Sequence, residues 1–153
     1  MTRKNKLEKY VTCVKNIEFH AAHATPVSGT PLLHGHTFVV HVCVEGELVK
    51  GSWVVDFTIL SKAAKELINQ EYNFRLLLNK EDASKVKISA PFNVKITYVN
   101  GPPTAEVLAR DICQKLSEYL SKRNVSDNVR IFRVTVCEGN NLCAEYATHF
   151  TME

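Results

Sequence analysis

Apolar and polar residues alternate along the first third of the chain, which is typical of half-buried β-strands. Over residues 10–22 one parity is polar and the other is apolar, with Lys15 as an exception. The apolar parity continues to His23 and contains Val11, Cys13, Ile17, Phe19 and Ala21. Residues 36–47 alternate in the same way, and the side of His36 contains Phe38, Val40, Val42 and Val44. The pattern predicts two strands that carry histidines on their apolar faces.

Helical spacing replaces alternation after Asp56, which has the residue type and the position of a helix N-cap. Apolar residues then recur every three or four positions to about Asn69, namely Phe57, Leu60, Ala64, Leu67 and Ile68. A second stripe follows Thr104, another predicted N-cap, and consists of Val107, Leu108, Ile112, Leu116 and Leu120. Two amphipathic helices are therefore predicted.

Shorter β-like runs complete the pattern. Residues 86–89 and 94–99 are predicted to form a hairpin around Pro91, and residues 129–137 and 142–151 to form two final strands. Strands and helices in this order predict an α+β domain, with the helices on one face of an antiparallel sheet.

Composition narrows the class of protein. The 153 residues fit one domain, and 45% hydrophobic with 23% charged residues is ordinary for a globular protein. A net charge of +3 is too small to indicate nucleic-acid binding, and no apolar run reaches membrane-spanning length. We therefore expect a cytoplasmic protein with neither nucleic acid nor membrane as a partner. The five cysteines include no C-x-x-C and are interpreted as small buried hydrophobes, not as disulfides or metal ligands.

Three histidines bracket one short loop. His34 and His36 are two residues apart, so an extended chain points both rings to the same face. His23 lies upstream, and the loop 24–33 between the two strands would fold it back beside the pair if the strands are antiparallel. A His-x-His pair alone is often an accident of a surface strand. Three imidazoles without a fourth protein ligand predict a catalytic zinc site with a position left for water or substrate.

The ordered motifs resemble one enzyme family. The chain contains F-x-A-A-H at 19–23, L-H-G-H-T-F at 33–38, V-V-D-F at 54–57, P-T-x-E at 103–106, and Glu138 at the end of a late strand. In this order they are similar to the 6-pyruvoyl-tetrahydropterin synthase and 6-carboxytetrahydropterin synthase family. The resemblance spans most of the chain, treated as a single domain over 1–153 with an insertion around 80–100.

The resemblance implies a fold, an assembly and a site. It implies the tunnelling fold, with a four-stranded antiparallel sheet and two helices on one face, in trimers or hexamers of identical subunits. It also implies that His23, His34 and His36 bind Zn²⁺ and that Glu138 anchors the amino-pyrimidinone edge of a pterin. Alternatively, Glu138 lies in solvent at the end of its strand and binds no ligand. Thr104 contacts the pterin or merely caps its helix.

The residues that transfer protons in this family are missing. In the family, zinc binds the side-chain hydroxyls of 7,8-dihydroneopterin triphosphate, a cysteine takes a proton, an Asp-His pair assists, and triphosphate leaves. Here the loop 24–33 contains no cysteine, and Thr30 lies about where one is expected, with Ser28 nearby. Asn73-Phe74 or Phe74-Arg75 occupies the place of the Asp-His pair.

Three hypotheses are compatible with that departure. The first is a lyase that acts on the same or a related pterin with another base, for which zinc-bound hydroxide and four side chains are candidates: Cys137, Cys143, His149 and His20. The second is a non-catalytic zinc-containing pterin- or purine-binding protein. The third is a subunit that supports an active paralogue. We rank the lyase first because an open zinc site has little purpose in a purely structural protein.

Overall fold

The computed structural model of the protein describes residues 8–25, 29, 31–89, 91–123 and 128–150. Within these ranges the elements are β1 (Tyr10–Thr25), β2 (Leu32–Gly46), α1 (Phe57–Glu71), β3 (Arg75–Asn79), a 3₁₀ turn (Lys80–Asp82), β4 (Ile96–Val99), α2 (Ala105–Ser121), β5 (Val129–Glu138) and β6 (Leu142–His149). The predicted α+β class is confirmed. Neither of the two described helices is long and apolar enough to span a bilayer.

The described strands form one six-stranded sheet in the order β4-β3-β1-β2-β5-β6. The neighbours β1, β2, β5 and β6 are antiparallel, whereas β3 is parallel to β1 and β4 is parallel to β3. The expectation of a four-stranded antiparallel sheet therefore accounts for only part of a mixed sheet. Parallel partners are joined by long connections, so local alternation does not identify them.

The predicted hairpin around Pro91 is wrong. Residues 86–89 contain no strand, and β4 pairs in parallel with β3. Val86 and Ile88 are 38% and 40% exposed, so these short β-like residues lack the buried face that would hold a strand in the sheet. The single domain over 1–153 and the insertion around 80–100 stay predictions.

A β-bulge explains why Lys15 interrupts the alternation of the first strand. The register between β1 and β2 shifts between Val14 and Ile17, and Asn16 has a left-handed φ of 60°. The backbone N–H of Asn16 donates to Nδ1 of His41 at 3.1 Å. The bulge moves Val11 to the opposite face from Ile17, and Val11 is 59% exposed. The prediction that one apolar parity runs through the whole strand was therefore wrong.

Four of the five cysteines form disulfides, which corrects the prediction of reduced, buried thiols. Cys13 pairs with Cys43 across β1 and β2, and Cys137 pairs with Cys143 across β5 and β6. Cys113 is the free cysteine, and it is fully buried as predicted. Cross-strand neighbours lie close enough for a disulfide, but only the sheet register brings these residues opposite one another.

Both predicted helix caps are confirmed. The side chain of Asp56 accepts from the N–H of Thr58 at 2.7 Å, and Thr104 accepts from the N–H of Val107 at 3.5 Å. The two helices contribute to one hydrophobic core on a single face of the sheet. Near the end of this core the rings of Phe19 and Phe38 stack with centroids 4.8 Å apart. Phe38 also packs against the rings of His23 and His36, so the core continues directly into the histidine cluster.

Candidate metal centre

Three histidines converge where β1 ends and β2 begins. His23 and His34 are direct partners in the antiparallel register, and His36 pairs with Ala21 on the same face. The three ring centroids are 4.6 to 5.1 Å apart, and one nitrogen of each ring lies within 4.8 Å of the others. The pairing that alternation predicted thus places the rings around a common point.

Backbone carbonyls determine which nitrogen carries the proton in two of these rings. Nδ1 of His23 lies 2.6 Å from the carbonyl oxygen of Pro103, and Nδ1 of His34 lies 2.9 Å from that of Leu32. A carbonyl only accepts, so both Nδ1 atoms carry the proton and donate. In the neutral rings Nε2 therefore has a free lone pair. Both lone pairs are available for a metal ion.

The residues fit a bound cation. The Nε2 atoms of His23 and His34 are 3.2 Å apart, and two lone pairs repel at that distance unless a proton or a metal ion lies beside them. Nε2 of His36 is buried without a hydrogen-bond partner among the described residues. Donation of the second ring nitrogen to a carbonyl is also the arrangement that orients metal-binding histidines. Three imidazole nitrogens suit zinc.

The environment of His23 favours the form that binds metal. Its side chain is fully buried, and this burial lowers the pKa of His23. The carbonyl of Pro103 and the carboxylate of Glu138 act in the opposite direction on the same pKa. Since a metal binds the neutral ring, a lowered pKa removes competition from protons.

Glu138 lies beside this cluster. It ends β5 and pairs with Phe38, which places its side chain on the face of His36. Its Oε1 is 3.7 Å from Nε2 of His23, and its Oε2 is 3.7 Å from Nε2 of His36. The side chain of Glu138 is 22% exposed, so it is accessible from the adjoining cavity.

A cavity of about 490 Å³ opens next to Glu138. Its walls come from the end of β1, the start of α2 and the β5–β6 hairpin, including Thr25, Thr104, Glu106, Glu138 and Asn141. Thr104 is thus both a helix cap and a cavity residue, and its contact with a pterin stays a prediction. Neither Glu106 nor the Pro103 carbonyl was predicted to contribute to the site, although both lie in the P-T-x-E motif.

The positions of the missing Asp-His pair lie at the start of β3, next to His20 of β1. Oδ1 of Asn73 accepts from the N–H of His20 at 3.0 Å, which is a structural contact. Phe74 has a left-handed φ of 53° and is 76% exposed, with its ring 5.7 Å from that of His20. Neither side chain transfers protons. Thr30 and Ser28, at the place of the missing cysteine, lie outside the described residues.

The alternative bases are poorly placed. Cys137 and Cys143 form a disulfide, so the structure provides no thiolate at either position. His20 alternates with His23 and points to the other face of the sheet, where it contacts Thr37 at 3.0 Å. His149 lies seven residues beyond Leu142, about 23 Å along an extended strand. None of the four belongs to the cluster of the three histidines, although His20 lines a cavity together with His36, and Cys143 lines the cavity beside Glu138.

The fold and the site together define an α+β domain with a three-histidine cluster beside Glu138, which lines a cavity. Residues 12–149 match the family model described as 6-pyruvoyl tetrahydropterin synthase. The chain belongs to the 6-pyruvoyl tetrahydropterin synthase family. This membership confirms the resemblance that the motifs indicated.

Relatives from several organisms are similar over most of their length. The putative 6-carboxy-5,6,7,8-tetrahydropterin synthase of Pyrococcus horikoshii is 33% identical over 130 residues, covering 79% of this chain and 76% of the relative. The dihydroneopterin monophosphate aldolase of Pyrococcus furiosus is 29% identical over 127 residues, covering 83% and 89%. A catalytic-residue variant of Plasmodium vivax 6-pyruvoyltetrahydropterin synthase superposes with a TM-score of 0.75 at 20% identity, covering 93% and 99%.

Proposed function

We propose that this protein is a zinc-dependent lyase that acts on 7,8-dihydroneopterin triphosphate or a related pterin, with elimination of triphosphate. One observation carries the proposal: the lone pairs of His23 and His34 face each other at 3.2 Å beside the carboxylate of Glu138. A metal ion would then lie next to the pterin anchor Glu138, whose side chain lines the cavity. Family membership supports the choice of a pterin as the substrate.

His23, His34 and His36 would hold the ion. When bound, zinc would supply a Lewis acid that polarises substrate oxygens and acidifies an adjoining C–H bond. The protein contributes the neutral, oriented imidazoles, because the carbonyls of Pro103 and Leu32 hold the Nδ1 protons of His23 and His34. The buried face of His23 excludes water from one side of the site.

Glu138 would recognise the pterin. Its carboxylate can accept two parallel hydrogen bonds from the ring N–H and the exocyclic amine of an amino-pyrimidinone, as it would from a guanidinium group. The adjoining cavity of about 490 Å³ falls within the usual range of about 300–1,000 Å³ for small-molecule sites. Thr104 and Glu106 line the same cavity and would contact the ligand from the side of α2.

A second candidate is a non-catalytic zinc-containing pterin- or purine-binding protein. The replacement of the Asp-His pair by Asn73-Phe74 or Phe74-Arg75, and a loop 24–33 without cysteine, favour it. A lyase that catalyses a different reaction step is a further possibility. The Pyrococcus furiosus relative is named an aldolase for dihydroneopterin monophosphate, so carbon–carbon cleavage of a monophosphate is the related reaction to test.

The assembly is part of the proposal. We infer a homo-oligomer, a trimer or a hexamer. The described sheet ends at β4 and β6, whose outer edges have no partner strand within the described chain. Phe74 and Leu142 expose 76% and 69% of their surface, which a neighbouring subunit would cover. Light scattering of the purified protein tests this, and a monomer would contradict it.

Turnover separates the lyase from the binding protein. The zinc-loaded protein is incubated separately with dihydroneopterin triphosphate and dihydroneopterin monophosphate, and the release of triphosphate and of aldehyde is followed. Release with either substrate, lost in His34→Ala and retained in His149→Ala, supports a lyase and identifies its step. Pterin binding at micromolar concentration without release supports the binding protein. If the protein neither releases a product nor binds a pterin, both candidates are contradicted.

A further inference from the structure

We propose that Glu138 is a fourth, displaceable ligand of the metal ion held by His23, His34 and His36. In the pterin-free protein its carboxylate binds the ion, and in the pterin complex it turns to the ring of the ligand. The inference rests on the proposed metal site and extends it. It assigns to one carboxylate the two roles of closing the metal site and recognising the ligand that opens it.

The distances between the candidate ligand atoms are at or slightly above those within a metal coordination shell. Zinc lies about 2.0–2.1 Å from imidazole nitrogen and about 2.0–2.2 Å from carboxylate oxygen, so neighbouring ligand atoms lie about 3–3.5 Å apart. Nε2 of His23 lies 3.2 Å from Nε2 of His34 and 3.7 Å from Oε1 of Glu138. Nε2 of His36 lies 3.7 Å from Oε2 of the same carboxylate. Movement of a few tenths of an ångström places a carboxylate oxygen in the shell.

The charge of Glu138 has no other compensating partner among the described residues. Two other carboxylates of the sheet, Glu45 and Glu145, are paired with the guanidinium group of Arg133. Among the described residues, the basic groups within 4.0 Å of the Glu138 carboxylate are the imidazoles of His23 and His36. Both rings are neutral when they bind a metal, so the ion itself is the positive charge that this carboxylate requires.

The carboxylate of Glu138 cannot bind the metal ion and accept both hydrogen bonds of a pterin edge at the same time. Each of its oxygens faces one of the imidazoles, whereas a pterin edge needs both oxygens for its two parallel hydrogen bonds. Glu138 is the last residue of β5, its side chain is 22% exposed, and Gly139 follows with a φ of 65°. Its side chain therefore has room to turn towards the cavity.

Exchange of this ligand couples the two bound molecules. A pterin that takes Glu138 leaves the metal with three imidazoles and an open position for the substrate side chain. Coupling is reciprocal. A pterin therefore binds less tightly while the metal ion retains the carboxylate of Glu138. The metal site would thus be closed to adventitious ligands until a pterin enters.

Metal titration and cobalt spectroscopy test the proposal without measuring activity. Wild type, Glu138→Gln and a control, Glu118→Gln, are titrated with Zn²⁺ and with Co²⁺. Glu118 is an exposed carboxylate of α2 that pairs with Lys122 and is not among the residues that contact the imidazoles. We expect Glu138→Gln to bind Zn²⁺ at least about tenfold more weakly and to have a changed Co²⁺ visible spectrum, with Glu118→Gln like wild type.

Addition of 7,8-dihydroneopterin supplies the second readout. It should shift the Co²⁺ spectrum of the wild type and leave a smaller shift in Glu138→Gln, which has no carboxylate to release. Equal Zn²⁺ affinities and superimposable spectra of wild type and Glu138→Gln would overturn this inference while leaving the metal site intact. A wild type that takes up neither metal would instead overturn the proposed site, and this inference with it.

Discussion

The Nε2 atoms of His23 and His34 lie 3.2 Å apart, and each ring donates its other nitrogen's proton to a backbone carbonyl. This relationship joins two strands that are direct partners in the sheet. Two lone pairs that hydrogen bonds hold this close together are an unfavourable arrangement in the absence of a cation. The site is therefore preorganised for a metal ion by hydrogen bonds on the far side of each ring.

Removal of one imidazole should remove the metal. We expect His34→Ala to lower the zinc content of the purified protein from about one ion per chain to near zero, because two imidazoles and a carboxylate bind zinc far less tightly than the full set. Elemental analysis after dialysis measures the content. His149→Ala, which changes an exposed histidine at the far end of β6, is the control. Unchanged zinc in His34→Ala would place the metal elsewhere.

The hydroxyl of Tyr72 should contribute to stability. Tyr72 is fully buried, and its hydroxyl donates to Oδ2 of Asp111 at 2.6 Å. Tyr72→Phe leaves this carboxylate with Lys115 alone and should lower the free energy of unfolding by about 1–2 kcal/mol in urea titrations. Tyr98→Phe, at a tyrosine that is 43% exposed, should change it little. An equal loss in both variants would show that the Asp111 contact is not the cause.

The raised pKa of Tyr72 should make the protein less stable at alkaline pH. Burial, together with Asp111, raises the pKa of Tyr72 far above its ordinary value of about 10. Above that pH the unfolded chain loses the tyrosine proton while the folded chain keeps it, so the free energy of unfolding should fall as pH rises above about 10. Below it the contribution is constant. The alkaline slope should be smaller in Tyr72→Phe, and an identical slope would refute the assignment.

Cys113 should be unreactive in the folded protein. Burial raises the pKa of its thiol to about 12, so almost no thiolate exists at neutral pH. Without a reducing agent, a chromogenic thiol reagent should detect no thiol in the native protein and one per chain in guanidinium. A rapidly reacting thiol in the native protein would contradict the burial of Cys113 if guanidinium reveals one thiol per chain, and would indicate reduced cysteine pairs if it reveals all five.

The two disulfides should differ in their effect on stability. Cys13 and Cys43 are 30 residues apart, whereas Cys137 and Cys143 are six apart. Because a longer closed loop restricts the unfolded chain more, replacing the first pair with serine should cost about 4 kcal/mol and the second about 2 kcal/mol. Urea unfolding of the two double variants measures this difference. The reverse order would show that strain or packing outweighs chain entropy.

Much of the site was predictable because the side-chain period of a strand depends only on backbone geometry. Alternation placed His23 on the face of Phe19 and His36 on the face of Phe38, and both placements are observed. The helix caps Asp56 and Thr104 were predicted for the same reason, since a cap is a contact between residues two or three apart. The family motifs indicated Glu138, whose strand-end position agrees with the sheet.

Tertiary structure alone decided the contacts between distant segments. The sequence did not show that Pro103, 80 residues from His23, holds its Nδ1 proton, nor that β3 and β4 extend the sheet in parallel. It also suggested reduced cysteines, although the register of β1 with β2 and of β5 with β6 pairs four of them. Local periodicity determines which face a residue occupies. Which residue lies opposite depends on how the segments pack, and that is a property of the whole fold.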